Sequence, residues 1–167
     1  MRPRSHHRAR IERLAADDGP RLRAIRLRAL RDAPDAFATT VDEAAGWPRD
    51  RWSEQTARFI HFVAVVGGAD VGLVRGAPDA HSSDAAWLLS MWVAPELRGE
   101  GIAPALVDAV VAWARSRGFR RLLLDVTETN ARAMAFYSRM GFVPSGVVGT
   151  LPPPREHLAE IQMVLTL

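Results

Sequence analysis

Residues 93–106 read Val-Ala-Pro-Glu-Leu-Arg-Gly-Glu-Gly-Ile-Ala-Pro-Ala-Leu, and this stretch decides the fold. It predicts the end of an apolar strand, then a turn at Gly99 and Gly101, then the first turn of a helix. Glycine permits a positive φ and a close approach by a ligand. The unpaired N–H groups and positive dipole at the start of a helix suit a phosphate, and Arg98 adds a positive charge. We interpret the turn as a cradle for a pyrophosphate.

The apolar pattern on either side of this turn predicts alternating strands and helices. Strands are expected at residues 11–14, 59–66, 71–75, 85–93, 121–126, 142–148 and 161–167. Helices are expected from 19 to just before Pro34, as a broken segment at 37–58, and at 103–117 and 130–140, with Asp17 and Asp18 offering caps to the first. Two strand–helix–strand passages in the second half imply a parallel pair within one mixed sheet.

Size and composition are those of one globular domain. The chain has 167 residues, of which 48% are hydrophobic and 25% charged. We expect a flexible basic tail over residues 1–10 and a single domain over 11–167. Because no apolar run approaches the ~20 residues that span a bilayer and no secretory signal pattern is present, we expect a cytoplasmic protein that does not enter a membrane.

The basic residues are all arginine, and this explains the high isoelectric point. The chain has 22 of them and no lysine, yet its formal net charge is only +3. Arginine stays protonated above about pH 12, so a small positive excess raises the isoelectric point strongly. Five arginines lie close together on the first predicted helix, and we interpret them as a solvated face rather than a nucleic-acid stripe: Arg21, Arg23, Arg26, Arg28 and Arg31.

Two motifs in this order resemble the GNAT superfamily of acetyl-CoA-dependent N-acetyltransferases. Residues 98–103, Arg-Gly-Glu-Gly-Ile-Ala, match the cofactor motif Q/R-x-x-G-x-G/A, and residues 130–142 match a second signature of Asn-Ala, Phe-Tyr and Gly-Phe. Residues 26–40, with Pro-Asp-Ala-Phe at 34–37, resemble the N-terminal helices of a bacterial subgroup. The resemblance spans the chain from about Ile11. It implies an α/β (α+β) fold with a single mixed, mostly antiparallel sheet of six to seven strands flanked by about four helices.

The resemblance also implies how acetyl-CoA is held, with no metal. The backbone N–H groups of the glycine turn would bind its pyrophosphate, and the end of the preceding strand would pair with its pantetheine arm and polarise the thioester. The cofactor-binding residues are then Met91, Trp92, Val93, Arg98, Gly99, Glu100, Gly101, Ile102, Ala103 and Asn130. The side chain of Trp92 could equally be a packing residue, and Asn130 is also the natural N-cap of its helix.

Tyr137, the only tyrosine of the chain, is the implied catalytic residue. In many family members this tyrosine protonates, or hydrogen-bonds to, the departing thiolate. A phenol with a pKa near 10 can supply that proton at neutral pH. The alternative is a core tyrosine with a satisfied hydroxyl, because spacing does not show which way the ring points.

Neither the general base nor the acceptor can be identified from a pattern. The candidates for the base are Glu43, Asp84, Asp125 and Glu128, with Ser90 to position a water. The acceptor pocket is expected to use the N-terminal helices and a late loop, through Phe37, Thr39, Thr40, Glu43, Trp47, Trp52 and residues 152–154. Aromatic rings with a carboxylate would suit a cationic amine, although we favour packing for Trp52.

Other chemistries lack their residues. The chain has no cysteine, no Gly-x-Ser-x-Gly elbow and no lysine for a phosphate loop, and its five histidines show no metal-ligand spacing. Without cysteine, direct attack by an amine in a ternary complex is the simplest mechanism.

The sequence therefore predicts a cytoplasmic acetyl-CoA-dependent N-acetyltransferase that acts on a small-molecule or peptide amine. One rival is an acyl-CoA-binding sensor of the same fold without turnover. A second is a basic protein associated with nucleic acid, which would bind with a steep salt dependence. The family often forms dimers, so a homodimer is compatible with the resemblance.

Overall fold

A computed structural model describes residues 9–167, which form a seven-stranded sheet with helices on both faces. The strands are β1 (Arg10–Arg13), β2 (Ile60–Val66), β3 (Ala69–Pro78), β4 (Ala85–Val93), β5 (Arg121–Thr127), β6 (Val143–Thr150) and β7 (Ala159–Thr166). The helices are α1 (Gly19–Asp32), α2 (Val41–Ala45), α3 (Arg49–Arg58), α4 (Ile102–Ser116) and α5 (Ala131–Arg139). Two short 3₁₀ turns, Pro34–Ala36 and Pro95–Leu97, follow α1 and β4.

The sheet has the order β1-β2-β3-β4-β5-β7-β6. Only β4 and β5 are parallel, and every other neighbouring pair is antiparallel. The parallel pair arises because α4 crosses over between its two strands. The predicted fold class, a mixed and mostly antiparallel sheet, is therefore confirmed.

The two faces of β2 and β3 meet different helices. A Cβ at Gly72 would touch Leu106 of α4, and a Cβ at Gly76 would touch Trp113 of the same helix. Residues one position away on β3 point to the opposite face, because side chains alternate along a strand. That opposite face is covered by α1 and α3, which pack on each other, on β3 and on β2.

Most of the predicted elements are confirmed to within a few residues. The broken segment at 37–58 consists of two helices separated by Gly46, Trp47 and Pro48, so residues 9–167 form five α-helices where about four were predicted. The side chain of Asp18 was predicted to cap α1. Its carboxylate instead accepts a hydrogen bond from the N–H of Ala15 at 2.8 Å and makes no cap hydrogen bond to the helix. Arg10, the last residue of the predicted tail, instead begins β1, and residues 1–8 of that tail lie outside the described residues.

Within residues 9–167, no helix has both the length and the apolar character needed to cross a bilayer.

Candidate functional site

The site begins where β4 and β5 separate. Their parallel pairing extends only from Ala85–Arg121 to Trp87–Leu123. Beyond Trp87, the edge of β4 that faces β5 pairs with no strand, so its backbone N–H and C=O groups are free to bind a ligand, except the carbonyl of Val93, which accepts from Arg98. A bulge falls on this segment, because the register of β3 against β4 shifts between Leu73 and Arg75. Ser90 occupies the bulge with a φ of 58°, a left-handed conformation that is uncommon for a residue other than glycine.

The glycine turn lies at the C-terminal side of this open edge. Gly99 and Gly101 have φ values of 90° and 81°, and a Cβ at either position would meet no atom within 4 Å. Gly101 is the residue that precedes α4. Among the described residues, the N–H groups of Gly99, Gly101, Ile102 and Ala103 donate to no other group, whereas the N–H of Glu100 donates to the carbonyl of Leu97 at 3.4 Å. The turn therefore presents four free donors at a helix N-terminus, a geometry that suits an anion.

The charge of Arg98, which was predicted to support these donors, is paired with a carboxylate. Its Nε donates to the carbonyl of Val93 at 3.0 Å, and its Nη2 binds the carboxylate of Asp32 on α1. Asp32 also accepts from Nε1 of Trp92 at 2.9 Å. Burial alone would raise the pKa of Asp32, but the two hydrogen bonds outweigh it and lower that pKa. Arg98 thus ties the turn to α1, and the free donors of the turn are backbone N–H groups.

The three predicted residues at the end of β4 differ in their surroundings. Met91 lines a cavity that lies beside the gap between β4 and β5. The side chain of Trp92 is 5% exposed and packs under Arg28, so it has the packing role that was the alternative to cofactor binding. Trp92 and Val93 pair with Leu73 and Gly72 of β3, so a ligand between β4 and β5 would meet their opposite edge.

Asn130 and Tyr137 both lie on the wall of the same cavity, at the start and on the inner side of α5. The side-chain oxygen of Asn130 accepts from the N–H of Ala133 at 3.1 Å, so the capping role is observed. Tyr137 is 7% exposed, and its ring packs against Phe136 and Phe142. Burial raises the pKa of Tyr137, which keeps the phenol protonated at neutral pH.

A cavity of about 260 Å³ extends from the β4–β5 gap beneath α1 and α3. Of the predicted acceptor residues, Phe37, Thr39, Trp47 and Trp52 line it. Thr40, Glu43 and residues 152–154 do not. Arg155, the residue that follows this loop, donates to the carbonyls of Phe37 and Ala38, each at 2.8 Å, and so contacts the segment that lines the cavity.

Only one of the four carboxylates predicted as a base lines the cavity. Asp125 does so at its open side, and partial burial raises its pKa. Asp84 instead binds Arg121 at 2.8 Å near the start of β4, and Glu43 and Glu128 are exposed elsewhere. Glu160, which the sequence analysis did not single out, also lines the cavity, and its pKa is raised by burial and by the charge of Asp125.

Several polar residues of the cavity were missed: Arg26, Gln55, His61, Arg75 and Glu160. Arg26 contradicts the prediction of a solvated arginine face, because it points into the cavity. Arg26 lies four residues after Leu22 and four before Leu30, which are both buried. This spacing places it on the buried face of α1 and could have predicted its position. His61 is 3% exposed, and burial together with the charge of Arg75 lowers its pKa to about 3, so it is neutral and a weak base.

Metal-binding geometry is absent from the described part of the chain, where no three histidine or acidic side chains cluster in a way that could hold an ion.

Comparison with known proteins gives the family and the fold. The model of the acetyltransferase (GNAT) family matches residues 23–142. An uncharacterised N-acetyltransferase of Methanocaldococcus jannaschii is 34% identical over 91 residues, which are 52% of this chain and 40% of that protein. YjgM, an uncharacterised N-acetyltransferase of Escherichia coli, is 35% identical over 78 residues, which are 47% of this chain and 44% of YjgM. The match thus spans less than half the length of either curated relative.

Solved structures share the fold over almost the whole chain. An acetyltransferase of the GNAT family from Streptococcus pneumoniae has a TM-score of 0.81 at 19% identity, covering 95% of this chain and 99% of that one. Ribosomal-protein-alanine N-acetyltransferase from Brucella melitensis has a TM-score of 0.76 at 25% identity, with coverage of 95% and 99%. The yncA protein from Salmonella typhimurium, solved with its cofactor acetyl-CoA, has a TM-score of 0.74 at 15% identity, with coverage of 95% and 94%.

Proposed function

The chain belongs to the acetyltransferase (GNAT) family, and on this premise we propose that it moves the acetyl group of acetyl-CoA to a primary amine by direct attack in a ternary complex. The observation that carries the proposal is the free edge of β4 beyond Trp87, which leads from the cavity to the four unpaired N–H groups of the glycine turn. The cofactor fits this path, because its pyrophosphate needs donors and its pantetheine amides need a strand edge.

The donors for the pyrophosphate are the N–H groups of Gly99, Gly101, Ile102 and Ala103. Acetyl-CoA supplies an activated acetyl thioester. The free edge of β4 near Met91 would place that thioester at the cavity, where oriented backbone N–H groups stabilise negative charge on its oxygen. Asn130, with its side-chain oxygen used as a cap, keeps its amide NH₂ for the cofactor.

The residues of the cavity divide the proton transfers between them. The acceptor enters as an ammonium and loses one proton to Asp125, which passes it to solvent. The amine nitrogen then attacks the acetyl carbon; the N–C bond forms, the C–S bond breaks, and the nitrogen loses a second proton. Tyr137 gives its proton to the departing sulfur and is reprotonated from the nitrogen through the cavity. The products are an N-acetylated amine, coenzyme A as the thiol, and one released proton.

The first test is a calorimetric titration of acetyl-CoA into the protein, the Gly101→Asp variant and the Gly118→Asp variant. Gly118 is a matched control, because its φ is 79° and a Cβ there would also meet nothing within 4 Å, but it lies at the far end of α4. Both variants share the backbone strain, while only Gly101→Asp places a carboxylate beside the free N–H groups. We expect binding to weaken at least about tenfold in Gly101→Asp alone.

The same samples are assayed for thiol release with a panel of amines. No binding of acetyl-CoA by the wild type, or equal binding by all three proteins, contradicts the proposed cofactor site. Binding that Gly101→Asp removes, without turnover of any amine, indicates the acyl-CoA sensor instead of the enzyme.

A further inference from the structure

The charged side chains of the cavity lining form one positive and one negative pair. Arg26 of α1 and Arg75 of β3 lie close enough to repel each other, and we call their part of the lining the cationic end. Asp125 of β5 and Glu160 of β7 also repel each other, and we call their part the carboxylate end. These are the four charged side chains of the lining, since His61 is neutral. Within residues 9–167, neither arginine has a carboxylate partner within 4.0 Å.

The cationic end also holds buried donors without acceptors. Among the described residues, five buried side-chain nitrogen or oxygen atoms have no hydrogen-bond partner, and all five are N–H donors. Four of them belong to the cavity lining: Nη1 of Arg26, Nε of Arg75, and Nε1 of Trp47 and of Trp52. Buried donors are nearly always paired in folded proteins, so four of them in the lining of one cavity call for acceptors that enter the cavity, either water or the polar group of a ligand.

The two guanidinium groups are otherwise held by neutral contacts. Nη1 of Arg75 donates to the side-chain oxygen of Gln55 at 3.2 Å, and the guanidinium of Arg26 lies 4.7 Å from the centre of the Phe37 ring. Burial, with repulsion from Arg75, lowers the pKa of Arg26 to about 10, so it remains charged at neutral pH. Two neighbouring buried cations without an anion are unfavourable, and a ligand carboxylate would relieve both.

The register of the sheet places the two ends level with each other. Arg75 pairs with Leu89 across β3 and β4. Leu89 is level with Asp125, because Trp87 and Leu123, two residues earlier on each strand, are parallel partners. Two regular strand spacings would put the backbones of Arg75 and Asp125 about 10 Å apart, and the divergence of β4 from β5 beyond Trp87 makes this separation somewhat larger. The register places both side chains on the face of the sheet that lines the cavity. A small molecule can reach both ends at once.

We propose that the acetyl acceptor is a small amine that also carries a carboxylate, which Arg26 and Arg75 bind while its ammonium group lies at Asp125 and Glu160. This inference rests on the proposed function, and it names the class of substrate. The ammonium group of the ligand would offset the repulsion between Asp125 and Glu160. Its carboxylate would offset the repulsion between Arg26 and Arg75. Arginine suits a planar carboxylate, because its forked donors can bind both oxygens. The amine is then held beside the β4–β5 gap, where the thioester would lie.

The test compares amines that differ only in the acidic group. Glycine, leucine, phenylalanine, β-alanine and 4-aminobutyrate are each assayed beside the corresponding carboxamide, with thiol release from acetyl-CoA as the readout. The proteins are the wild type, Arg26→Gln, Arg75→Gln and, as a matched control, Arg23→Gln. Arg23 lies three residues before Arg26 on α1 but is exposed. Thermal unfolding checks that each variant is folded.

We expect at least one acid to exceed its own carboxamide by about tenfold or more in kcat/KM with the wild type, since the amide leaves a buried cation unpaired. This preference should fall to near one in Arg26→Gln and Arg75→Gln, and stay unchanged in Arg23→Gln. A wild type that prefers the carboxamides, or an Arg75→Gln variant that slows acid and amide equally, overturns the inference.

A binding measurement separates this inference from the proposed function. The same five amino acids are titrated into the protein saturated with coenzyme A. If no amine is acetylated but an acid binds to the wild type and not to Arg75→Gln, the carboxylate site stands and the enzyme proposal falls. If neutral amines are acetylated and no acid binds, the enzyme proposal stands and the carboxylate site falls.

Discussion

The guanidinium of Arg98 binds the carboxylate of Asp32, 66 residues earlier in the chain, and so joins the glycine turn to the C-terminal end of α1. Asp32 is held at the same time by the indole N–H of Trp92, at 2.9 Å. One carboxylate thus connects the turn, the end of β4 and the helix that covers the cavity. The glycine turn and the helix over the cavity therefore share a structural support.

The Asp32→Asn variant should be less stable than the wild type at neutral pH, by about 1 kcal/mol, because a charged acceptor of two hydrogen bonds becomes a neutral one. The folded-state pKa of Asp32 is lowered, so its stabilisation is present above the unfolded pKa of about 3.9 and is lost as the pH falls through the folded value. Thermal unfolding at pH 7 and at successively lower pH should therefore show a difference that shrinks below about pH 4. Asp17→Asn, at an exposed position, is the control. A difference that grows at low pH would contradict this role.

The Tyr137→Phe variant should lower kcat by about a hundredfold or more, because it removes the proposed proton donor to the departing thiolate. The phenyl ring keeps the contacts with Phe136 and Phe142, so the free energy of unfolding and the affinity for acetyl-CoA should change little. Steady-state kinetics beside calorimetry separates the two effects. An unchanged kcat would assign Tyr137 to packing alone.

The Asp125→Asn variant should remove the acid limb of the pH dependence of kcat/KM. A base must be deprotonated to accept a proton, and burial raises the pKa of Asp125, so activity should decline as the pH falls through this raised value. The charges near it are Glu160 on β7, which pairs with Thr127, two residues further along β5, and Arg155, which acts on Glu160. Asp84→Asn is the control, because Asp84 binds Arg121 and lies outside the cavity. An acid limb that persists in Asp125→Asn would point to Glu160 or to a water.

The Gly76→Ala variant should destabilise the fold by about 1–3 kcal/mol through overpacking. The added Cβ would lie 2.7 Å from Cζ3 of Trp113 on α4 and 2.8 Å from Cγ2 of Ile60 on β2. Gly149→Ala on the exposed strand β6 is the control, since its Cβ would meet no atom within 4 Å. Chemical denaturation measures both, and equal stabilities would mean that α4 can shift on the sheet without cost.

The sequence by itself determined the elements, the fold class and the family. Apolar periodicity and glycine positions are local signals, so the strand at 85–93 and the glycine turn before α4 could be placed within a residue or two. Asn130 and Tyr137 could be placed on one helix because the motif around them is also local. The side chain of Asp18 was an exception, since it had a second donor, the N–H of Ala15, close by in the chain.

Only the tertiary structure decided which charges meet. Arg26 and Arg75 come from a helix and a strand 49 residues apart, and they share one cavity because the sheet register sets Arg75 opposite His61 and beneath α1. In the same way, Arg98 was expected to add its charge to the glycine turn but pairs with Asp32 on α1. Of the four candidate bases, Asp125 alone lines the cavity. Such pairings depend on long-range packing, which places distant segments side by side. The periodicity of apolar residues along the chain does not indicate which segments these are.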